Sequence, residues 1–355
     1  MSAFSAFDDA MMRRALALAE KGLWTATPNP RVGCVLARGE TVVGEGWYEA
    51  AGLPHAEANA LAAAGAAASG ATAYVTLEPC NHHGRTPPCD EALARAGVAR
   101  VVAAARDPNP QASRGGEALA AAGIRFEYGL LEEEARELNI GFFSRVTRAR
   151  PWVRMKIAAT LDGRTALADG RSQWITGAEA RADGHRWRAR ACAVLTGAGT
   201  VKADDPQLTV REVATPRQPL RVVVDSRLEI PAGARILQGG RTIVFCAKTG
   251  AAPGGVETIA LANPQGKVDL PRMLEELARR GVNELHVEAG FRLNGSLLRE
   301  GCVDELLVYL NPSLLGDGAQ GMFDLPPFGG LDARRKLSLR SVERVGGDLR
   351  ILARL

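Results

Sequence analysis

Hydrophobic and polar residues follow two periods along the first part of this chain, and together they predict helices alternating with strands. The first 20 residues place Phe7, Met11 and Leu18 on one face of a helix. Two short strands around a turn follow in TPNPRVGCVLARGETVVGEGWY, and an alanine-rich helix covers about 56–68. Beyond it, ATAYVTLEPC, ARVVAAARD and the end of GGEALAAAGIRFEYGL predict three strands separated by helices. This order is typical of a layered α/β domain.

The pattern changes near residue 145, where a charged helix leads through a basic linker into a new strand at about Pro151. Apolar segments downstream predict five further strands, namely CAVLTGAGTV, LRVVVDS, RTIVFCA, ELHVEAG and DELLVYLNP. Helices are predicted around 178–190, 269–280 and 292–300. We therefore predict two α/β domains, residues 1–147 and 148–355.

Composition and charge limit the classes of function. The chain has 355 residues and a net charge of +4, and only 5% of its residues are aromatic. Its basic residues are scattered, which argues against nucleic acid and suits an anionic small molecule. No signal-peptide core and no run of about 18 apolar residues is present, so we expect no membrane span. Six cysteines without a secretion signal predict a cytoplasmic protein, where clustered thiols indicate metal.

The segment GLPHAEANAL brings the first candidate chemistry, because it places His55 and Glu57 at the start of a helix. About 20 residues later, LEPCNHHGRTPPC supplies Cys80 and Cys89. One imidazole and two thiolates form a three-ligand zinc set that leaves the fourth position open for water, as in catalytic sites. Zinc lowers the pKa of such a water towards neutrality. Glu57 then serves as the carboxylate that moves protons without binding the metal.

This arrangement departs from the H-x-E…P-C-x-x-C signature of zinc deaminases, because eight residues separate Cys80 from Cys89. A structural zinc site, with His82 or His83 in place of His55, is the alternative, although it has no need of Glu57. We interpret the two histidines as loop residues near the substrate, and Cys34 as a core residue. Asn29, held between two prolines, has an amide suited to a pyrimidine edge or a ribose hydroxyl. A plain turn explains Asn29 equally well.

Taken together, TPNPRVGCV, PHAE, TLEPCNHHGRTPPC and DPNPQ closely resemble the bifunctional deaminase/reductase of riboflavin biosynthesis. The long insert between the two cysteines fits this family. The resemblance implies a cytidine-deaminase-like fold with α/β/α layers in the first domain. It also implies deamination of 2,5-diamino-6-(5-phosphoribosylamino)pyrimidin-4(3H)-one at its 2-amino carbon to give the uracil.

The second half, taken by itself, offers weaker signals. VLTGAGTVKADDPQLTVR predicts a strand that enters a glycine-rich loop, and the third glycine of a G-x-G-x-x-G fingerprint is missing. Within it, DDPQLTV is predicted as a further strand, which Arg211 follows. ELHVEAGFRLNGSLLREG predicts a strand, a tight turn at Gly290 and a helix whose first backbone N–H groups suit a phosphate. VVVDSR ends a strand with polar groups, where ligands often bind in open α/β sheets.

MKIAATLDGRTA, SQWIT, TGAGTVKADDPQLTVR and VEAG resemble the reductase domain of the same family, which has a dihydrofolate-reductase-like fold and uses NADPH. The resemblance implies reduction of the ribosyl group to ribityl by hydride transfer to C1′. For Lys156, Asp162 and Asp205, a structural salt bridge and a catalytic role stay equally open. The cofactor contacts implied are Ala158, Trp174, Thr200, Asp204, Ser226, Gly290, Phe291, Arg292, Leu293, Asn294, Gly295 and Ser296. The substrate contacts implied are Ser172, Arg188, Leu208, Arg211 and Glu288.

Three other functions compete with this interpretation. A nucleic-acid-editing deaminase with an accessory domain needs a basic, aromatic-lined groove, which the composition does not favour. A zinc-stabilised scaffold without activity predicts that Glu57 is dispensable. A chain with one inactive half disagrees with the complete motifs in both halves. We therefore expect one zinc ion and one NADPH per chain, a small phosphoribosyl pyrimidine as substrate, no nucleic acid or membrane partner, and a homo-oligomer, dimeric or tetrameric.

Overall fold

A computed structural model describes residues 4–83, 87–250 and 253–355 of the chain. The chain divides into two compact units, and the boundary in the sequence lies between Ala149 and Arg150. The sequence pattern placed this boundary after residue 147. Each unit has its own hydrophobic core. Among the described residues, none of the helices has the length and apolar content that crossing a bilayer requires.

The first unit is a five-stranded sheet between two layers of helices, with strand order β2-β1-β3-β4-β5. β1 pairs antiparallel with both β2 and β3, while β3, β4 and β5 run parallel. The strands are β1 (Gly33–Arg38), β2 (Thr41–Trp47), β3 (Thr72–Leu77), β4 (Arg100–Ala105) and β5 (Arg125–Tyr128). The helices are α1 (Ala6–Glu20), α2 (Ala56–Ala64), α3 (Cys89–Arg95), α4 (Gly115–Ala121), α5 (Glu132–Leu138) and α6 (Ile140–Arg148).

Alternate residues of the central strands enter different cores, which explains why these strands are apolar along their whole length. Val35 and Ala37 pack with α1 and the α5–α6 pair, whereas Cys34 and Leu36 pack with α2, α3 and α4. A sheet buried on both faces cannot show the alternation of a half-exposed strand. The first unit therefore has the layered α/β arrangement that its sequence pattern predicted and the α/β/α layers that the family resemblance implied.

Two glycines of β2 allow α2 to lie directly on the sheet. A Cβ atom at Gly44 would overlap the carbonyl oxygen of Ala60, and one at Gly46 would overlap that of Ala56. Because α2 follows His55 directly, this close approach sets the position of the first candidate zinc ligand relative to the sheet.

The second unit is built on a nine-stranded sheet with strand order β11-β10-β9-β8-β12-β6-β13-β16-β15. The strands from β11 to β13 in this order run parallel, and a C-terminal antiparallel hairpin extends the sheet. The strands are β6 (Trp152–Thr160), β7 (Arg164–Ala166), β8 (Ala193–Gly197), β9 (Leu220–Val224), β10 (Thr242–Cys246), β11 (Glu257–Ala260), β12 (Glu284–Val287), β13 (Glu305–Asn311), β14 (Gln320–Gly321), β15 (Ser338–Val345) and β16 (Asp348–Arg354). The helices are α7 (Ala178–Arg190), α8 (Ala198–Asp204), α9 (Leu270–Arg279) and α10 (Phe291–Arg299), while β7 and β14 form a separate ribbon.

A buried ion network joins three neighbouring strands of this sheet. The Arg154 guanidinium on β6 donates to Glu305 on β13 at 2.6 Å and to Glu284 on β12 at 3.0 Å. Arg190 of α7 also donates to Glu284, at 2.7 Å. Removing one partner of such a network leaves a buried charge uncompensated, which costs several kcal/mol, about 3 to 5 in measured cases.

One predicted strand was wrong in part, and another was wrong. The strand predicted for CAVLTGAGTV ends at Gly197, because this glycine is the N-cap of α8 and Val201 turns into the core. The segment DDPQLTV forms no strand, since Asp205 and Leu208 have left-handed backbone angles, with φ of 39° and 52°, that interrupt an extended ladder. The C-terminal hairpin of β15 and β16 was not predicted.

Candidate active sites

His55 and Glu57 stand at the amino end of α2. His55 is the N-cap residue of this helix, and Glu57 lies in its first turn with a side chain only 4% exposed. A carboxylate at this position is favoured by the partial positive charge of the helix N-terminus. The start of α2 therefore holds an imidazole and a buried carboxylate side by side.

Cys80 and Cys89 are brought together by a loop that closes on itself. The carbonyl oxygen of Cys80 accepts hydrogen bonds from the backbone N–H groups of Cys89, at 3.1 Å, and Asp90, at 3.4 Å. The Asn81 side chain donates to the carboxylate of Asp90 across the same loop. The eight-residue separation in sequence therefore becomes a direct contact, with Cys89 as the first residue of α3.

The three predicted ligands converge on one point. Nδ1 of His55 lies 3.3 Å from Sγ of Cys89 and 3.6 Å from Sγ of Cys80, and all three donor atoms lie within 4.8 Å of one another. One nitrogen and two sulfur donors are the ligands that zinc takes in catalytic sites. The residues present fit a zinc ion. His82 and His83 are exposed in the loop and outside this cluster.

The electrostatics of the cluster favour an ionised sulfur beside a proton carrier. A hydrogen bond from the Cys89 thiol, helped by His55, lowers the pKa of Cys80 to about 4, while that contact and burial raise the pKa of Cys89. The hydrogen bond to Cys80 raises the pKa of His55. Burial, with the nearby Cys80 thiolate, raises the pKa of Glu57 to about 7. A carboxyl that titrates near neutrality is suited to taking and returning protons.

Asn29 lies exposed in the loop between α1 and β1, and its Nδ2 donates to the hydroxyl of Tyr48 at 2.7 Å. The sequence did not single out the residue that holds this loop from the other side. The Asn139 side chain accepts from the backbone N–H of Arg31 at 2.7 Å and donates to its carbonyl oxygen at 2.8 Å. An asparagine between two helices carries no motif, so no sequence signal points to this role.

Gly115 is a second residue that the sequence analysis missed. A Cβ atom at this position would overlap the carbonyl oxygen of Pro79, the residue before Cys80. The start of α4 can therefore lie this close to the loop that carries Cys80 only because residue 115 is glycine. The paired glycines at the start of a predicted helix in SRGGEAL are the signal that could have revealed this contact.

The candidate cofactor residues of the second unit collect at one edge of its sheet. Thr200 and Asp204 lie on α8, which follows β8, while Ser226 follows β9 and Gly290 follows β12. These three strands are neighbours and run parallel, so their carboxyl ends share an edge. Ligands in open α/β sheets bind at this edge.

The run from Gly290 to Ser296 divides into an exposed start and a packed remainder. Gly290 is the exposed N-cap of α10, and a Cβ atom there would lie 3.5 Å from the Thr200 hydroxyl. Leu293 fits against Gly197, whereas Asn294 is buried and Gly295 contacts the backbone of Asp324. The free N–H groups at the start of α10 fit a phosphate. Phe291 and Ser296 are partly buried and Arg292 is exposed, and their cofactor contacts stay predictions.

The other predicted cofactor and substrate contacts are placed as follows. Ala158 lies on β6, opposite Tyr309 of β13. Trp174 is 70% exposed, with the Arg181 guanidinium 4.8 Å from its ring centroid. Ser172 is half-buried in the segment before α7. Leu208 is buried in a hydrophobic cluster. These contacts stay predictions.

Arg188 and Glu288 form a close bidentate pair. Both carboxylate oxygens of Glu288 accept from Arg188, one of them at 2.8 Å, and Arg188 also donates to the carbonyl oxygen of Thr209 at 3.2 Å. Arg211 is exposed, and its guanidinium donates to the Thr209 hydroxyl at 3.0 Å. Burial, with the charges of Arg188 and Arg211, lowers the pKa of His185 to about 4, so its neutral Nδ1 accepts the Arg211 backbone N–H at 3.2 Å.

The structure separates the three residues whose roles the sequence left open. Asp162 accepts from the backbone N–H groups of Leu315 and Gly316, and Asp205 accepts from that of Arg235, so both serve local structure. Lys156 makes no ion pair within the part of the chain that the structure describes, and burial lowers its pKa. A structural salt bridge therefore does not explain Lys156.

Two family profiles match this chain. The profile of the RibD C-terminal domain matches residues 151–351, and that of the cytidine and deoxycytidylate deaminase zinc-binding region matches residues 5–105. Riboflavin biosynthesis protein RibD of Escherichia coli is 45% identical over 358 residues, covering 96% of this chain and 98% of that protein. The protein of the same name from Aquifex aeolicus is 43% identical and covers 96% and 97%.

Two solved structures resemble the whole chain. A structure of Acinetobacter baumannii RibD is 41% identical, has a TM-score of 0.91 and covers 98% of both chains. A diaminohydroxyphosphoribosylaminopyrimidine deaminase/5-amino-6-(5-phosphoribosylamino)uracil reductase from Thermotoga maritima is 34% identical, with a TM-score of 0.89 and the same coverage. The predicted fold class, a cytidine-deaminase-like unit followed by a dihydrofolate-reductase-like unit, is confirmed.

Proposed function

As a member of the RibD family, this chain is a bifunctional deaminase and reductase of riboflavin biosynthesis, and we propose how its residues divide the two reactions. Its substrate is 2,5-diamino-6-(5-phosphoribosylamino)pyrimidin-4(3H)-one. The first unit hydrolyses the 2-amino group of this pyrimidine. The second unit then reduces the ribosyl side chain, and the product is 5-amino-6-(5-phosphoribitylamino)uracil.

In the first unit, His55, Cys80 and Cys89 hold one zinc ion, and Asn29 recognises the pyrimidine or its ribose. A bound zinc ion supplies the Lewis acidity that makes water a nucleophile near neutral pH. Glu57 takes one proton of the attacking water and delivers it to the ring nitrogen. It then carries the second proton, from the hydroxyl group formed at C2, to the 2-amino group, which leaves as ammonia. Its raised pKa, about 7, supports this role, because an acid–base group works best near the operating pH.

In the second unit, the exposed N-terminus of α10 and the adjacent Thr200 hydroxyl hold the phosphates of NADPH. Gly290 allows the cofactor to approach this helix start, and the cofactor supplies a hydride for C1′ of the opened ribose. Arg188 and Glu288 form a rigid bidentate pair beside this edge. The guanidinium of Arg188 already donates to Glu288 and to the carbonyl oxygen of Thr209. We therefore assign binding of the substrate phosphate to Arg211.

The observation that carries this proposal is the convergence of His55, Cys80 and Cys89 beside the buried carboxylate of Glu57. A two-step assay tests it. With the diaminopyrimidine alone, the protein should release ammonia without any cofactor, and NADPH oxidation should begin only once the deaminated product is present. Ammonia release that depends on NADPH, or NADPH oxidation that precedes deamination, would contradict the division of labour.

Self-association as a dimer or tetramer is also part of the proposal. β15 is the last strand at one edge of the sheet, and its Leu339 and Val342 are 66% and 54% exposed. Exposed apolar residues on an edge strand favour pairing with another chain. A second copy that pairs its own β15 there would cover them. Light scattering should show Leu339→Lys as a smaller species than the wild type, with Leu331→Lys, at another exposed leucine, as the control.

The proposed location is the cytoplasm. All six cysteines are free thiols, and two of them are zinc ligands that must stay reduced. Fractionation of cells that carry a tagged full-length chain should place it with soluble cytoplasmic markers.

A further inference from the structure

Tyr48 contacts two residues of the first candidate site, the predicted substrate residue Asn29 and the predicted zinc ligand His55. It directly follows β2, and its side chain is only 4% exposed. Its hydroxyl oxygen accepts two hydrogen bonds, from Nδ2 of Asn29 at 2.7 Å and from the backbone N–H of Gly52 at 2.9 Å. Its ring meets that of His55 edge to face, with centroids 5.5 Å apart and planes at 87°. One tyrosine therefore joins the candidate substrate residue to a zinc ligand.

The ring of His55 depends on this packing for its orientation. Nδ1 faces the two cysteine sulfurs. A zinc-ligating histidine usually donates its other N–H to an acceptor that fixes the ring plane. Across residues 4–83, 87–250 and 253–355, the side-chain hydrogen bonds of His55 involve only Nδ1, and the edge-to-face contact with Tyr48 limits rotation of the imidazole.

The hydroxyl group of Tyr48 contacts Asn29, whereas the ring contacts His55. An amide can present either its oxygen or its nitrogen to a ligand, and the two are not equivalent. Because the Nδ2 group of Asn29 donates to Tyr48, its carbonyl oxygen is left to accept from a ligand. An aminopyrimidine carries N–H donors. The same hydroxyl anchors Gly52, whose φ of 94° makes the turn that leads into His55.

We infer that Tyr48 is a positioning residue that sets Asn29 through its hydroxyl and His55 through its ring. This inference rests on the proposed zinc-dependent deamination. The two parts of the side chain have separate effects. Loss of the hydroxyl should weaken substrate recognition and leave the metal bound. Loss of the ring should also weaken the metal.

Three variants of the full-length protein test these effects. Tyr48→Phe should raise KM for deamination roughly tenfold, the scale of one or two lost hydrogen bonds, with kcat and zinc affinity close to wild type. Tyr48→Leu should in addition lower zinc affinity on the order of 10-fold or more, as other partners of metal ligands do. Zinc affinity is measured by competition with a chromogenic chelator. Tyr74→Phe is the matched control, because it removes a buried hydroxyl that donates to Asp8 at 2.8 Å in the same unit.

A double-mutant cycle separates positioning from general weakening of the fold. If the hydroxyl acts through Asn29, then Tyr48→Phe should have little further effect on KM once Asn29→Ala is present. A merely structural hydroxyl would raise KM by the same factor in both backgrounds, and Tyr74→Phe would then resemble Tyr48→Phe.

Each result decides one part of the inference. Additive KM effects in the cycle would overturn the role of the hydroxyl, and wild-type zinc affinity in Tyr48→Leu would overturn the role of the ring. Failure of the proposed function looks different, since the wild type would then bind zinc without releasing ammonia. The zinc affinities of Tyr48→Phe and Tyr48→Leu would still test the ring in that case.

Discussion

The first unit gathers its reactive side chains at one point, whereas the second distributes its candidate contacts along one edge of a sheet. His55, Cys80 and Cys89 place three donor atoms within 4.8 Å of one another. In the second unit, the candidate cofactor residues are spread over the ends of three strands and two helices. A metal needs side-chain donors, while a dinucleotide is bound largely by backbone N–H groups, glycines and shape.

This difference determines what a substitution removes. In the first unit, each ligand side chain can be changed with a loss of chemistry that is easy to separate from the fold. In the second, several candidate residues also hold the structure. Arg188 is paired with Glu288, and Asn294 is buried in α10. The two sites should therefore respond to mutation in different ways, and the largest and cleanest effects should arise in the first.

Loss of a zinc ligand is the largest expected effect. Cys89→Ser should lose the metal and reduce deamination to background, because two donors cannot hold zinc as three do. Elemental analysis of the purified protein measures this, and NADPH oxidation with the deaminated substrate should persist. His82→Ala is the control, since His82 is exposed outside the cluster. If His82→Ala removed zinc and His55→Ala did not, the ligand set would be wrong.

Glu57→Gln should show the next largest effect. Glutamine keeps the shape of this buried side chain but cannot carry the proton, so deamination should fall by several orders of magnitude, roughly 10² to 10⁴ for the proton transfer itself. Zinc content and reductase activity should stay as in the wild type. If this variant still released ammonia, Glu57 would not be the proton carrier. If it lost zinc, Glu57 would instead be a ligand of the metal.

The sequence predicted the first site in more detail than the second for a physical reason. Residue types identify zinc ligands, because few side chains bind this metal, and the spacing of His55 and Glu57 is local to one helix turn. The loop between Cys80 and Cys89 could be expected, but its closure by the Cys80 carbonyl could not. Asn139 was missed because its partner Arg31 lies 108 positions away in the sequence. Tyr48 was missed because it belongs to none of the motifs, although its partners Asn29 and His55 do.

In the second unit, the central strands β6, β8, β9, β10, β12 and β13 were predicted, whereas the short strands β7, β11 and β14 were not. One error lies where backbone conformation overrides pattern. Gly197 ends β8 and starts α8, although the apolar run continues through Val201. The hairpin of β15 and β16 was missed because β15 is mostly exposed and carries three charged residues, Arg340, Glu343 and Arg344, so it lacks the apolar content of a buried strand. The pairing of Arg188 with Glu288 joins residues 100 positions apart.

A smaller effect is expected from Arg211. The guanidinium is exposed, donates to the Thr209 hydroxyl and matches phosphate oxygens through parallel hydrogen bonds. Arg211→Ala should weaken binding of the phosphoribosyl substrate by roughly 2 to 3 kcal/mol, the scale of charge-assisted hydrogen bonds. Arg211→Lys should recover part of this loss. The measurement is KM for the deaminated substrate.

NADPH affinity and deamination should not change in either Arg211 variant. An unchanged substrate KM together with weaker NADPH binding would indicate that Arg211 binds the phosphates of the cofactor and not that of the substrate. The backbone contact of Arg211 with His185 should survive both substitutions, because it involves only the main-chain N–H.

The smallest expected change comes from separating the two units. The fragment 150–355 contains the entire nine-stranded sheet and its core, and it begins with Arg150, which donates to both carboxylate oxygens of Asp304 at 3.1 Å. Since every candidate cofactor contact lies in this fragment, NADPH affinity should stay within about tenfold of the full-length value, roughly 1.4 kcal/mol. Fluorescence titration measures the affinity, and circular dichroism checks that the fragment is folded. The fragment 1–149 serves as the control and should bind zinc but no NADPH. NADPH binding by 1–149, or its loss from a folded 150–355, would mean that the cofactor site is not confined to the second unit. The cofactor could then no longer be assigned to the sheet edge of the second unit alone.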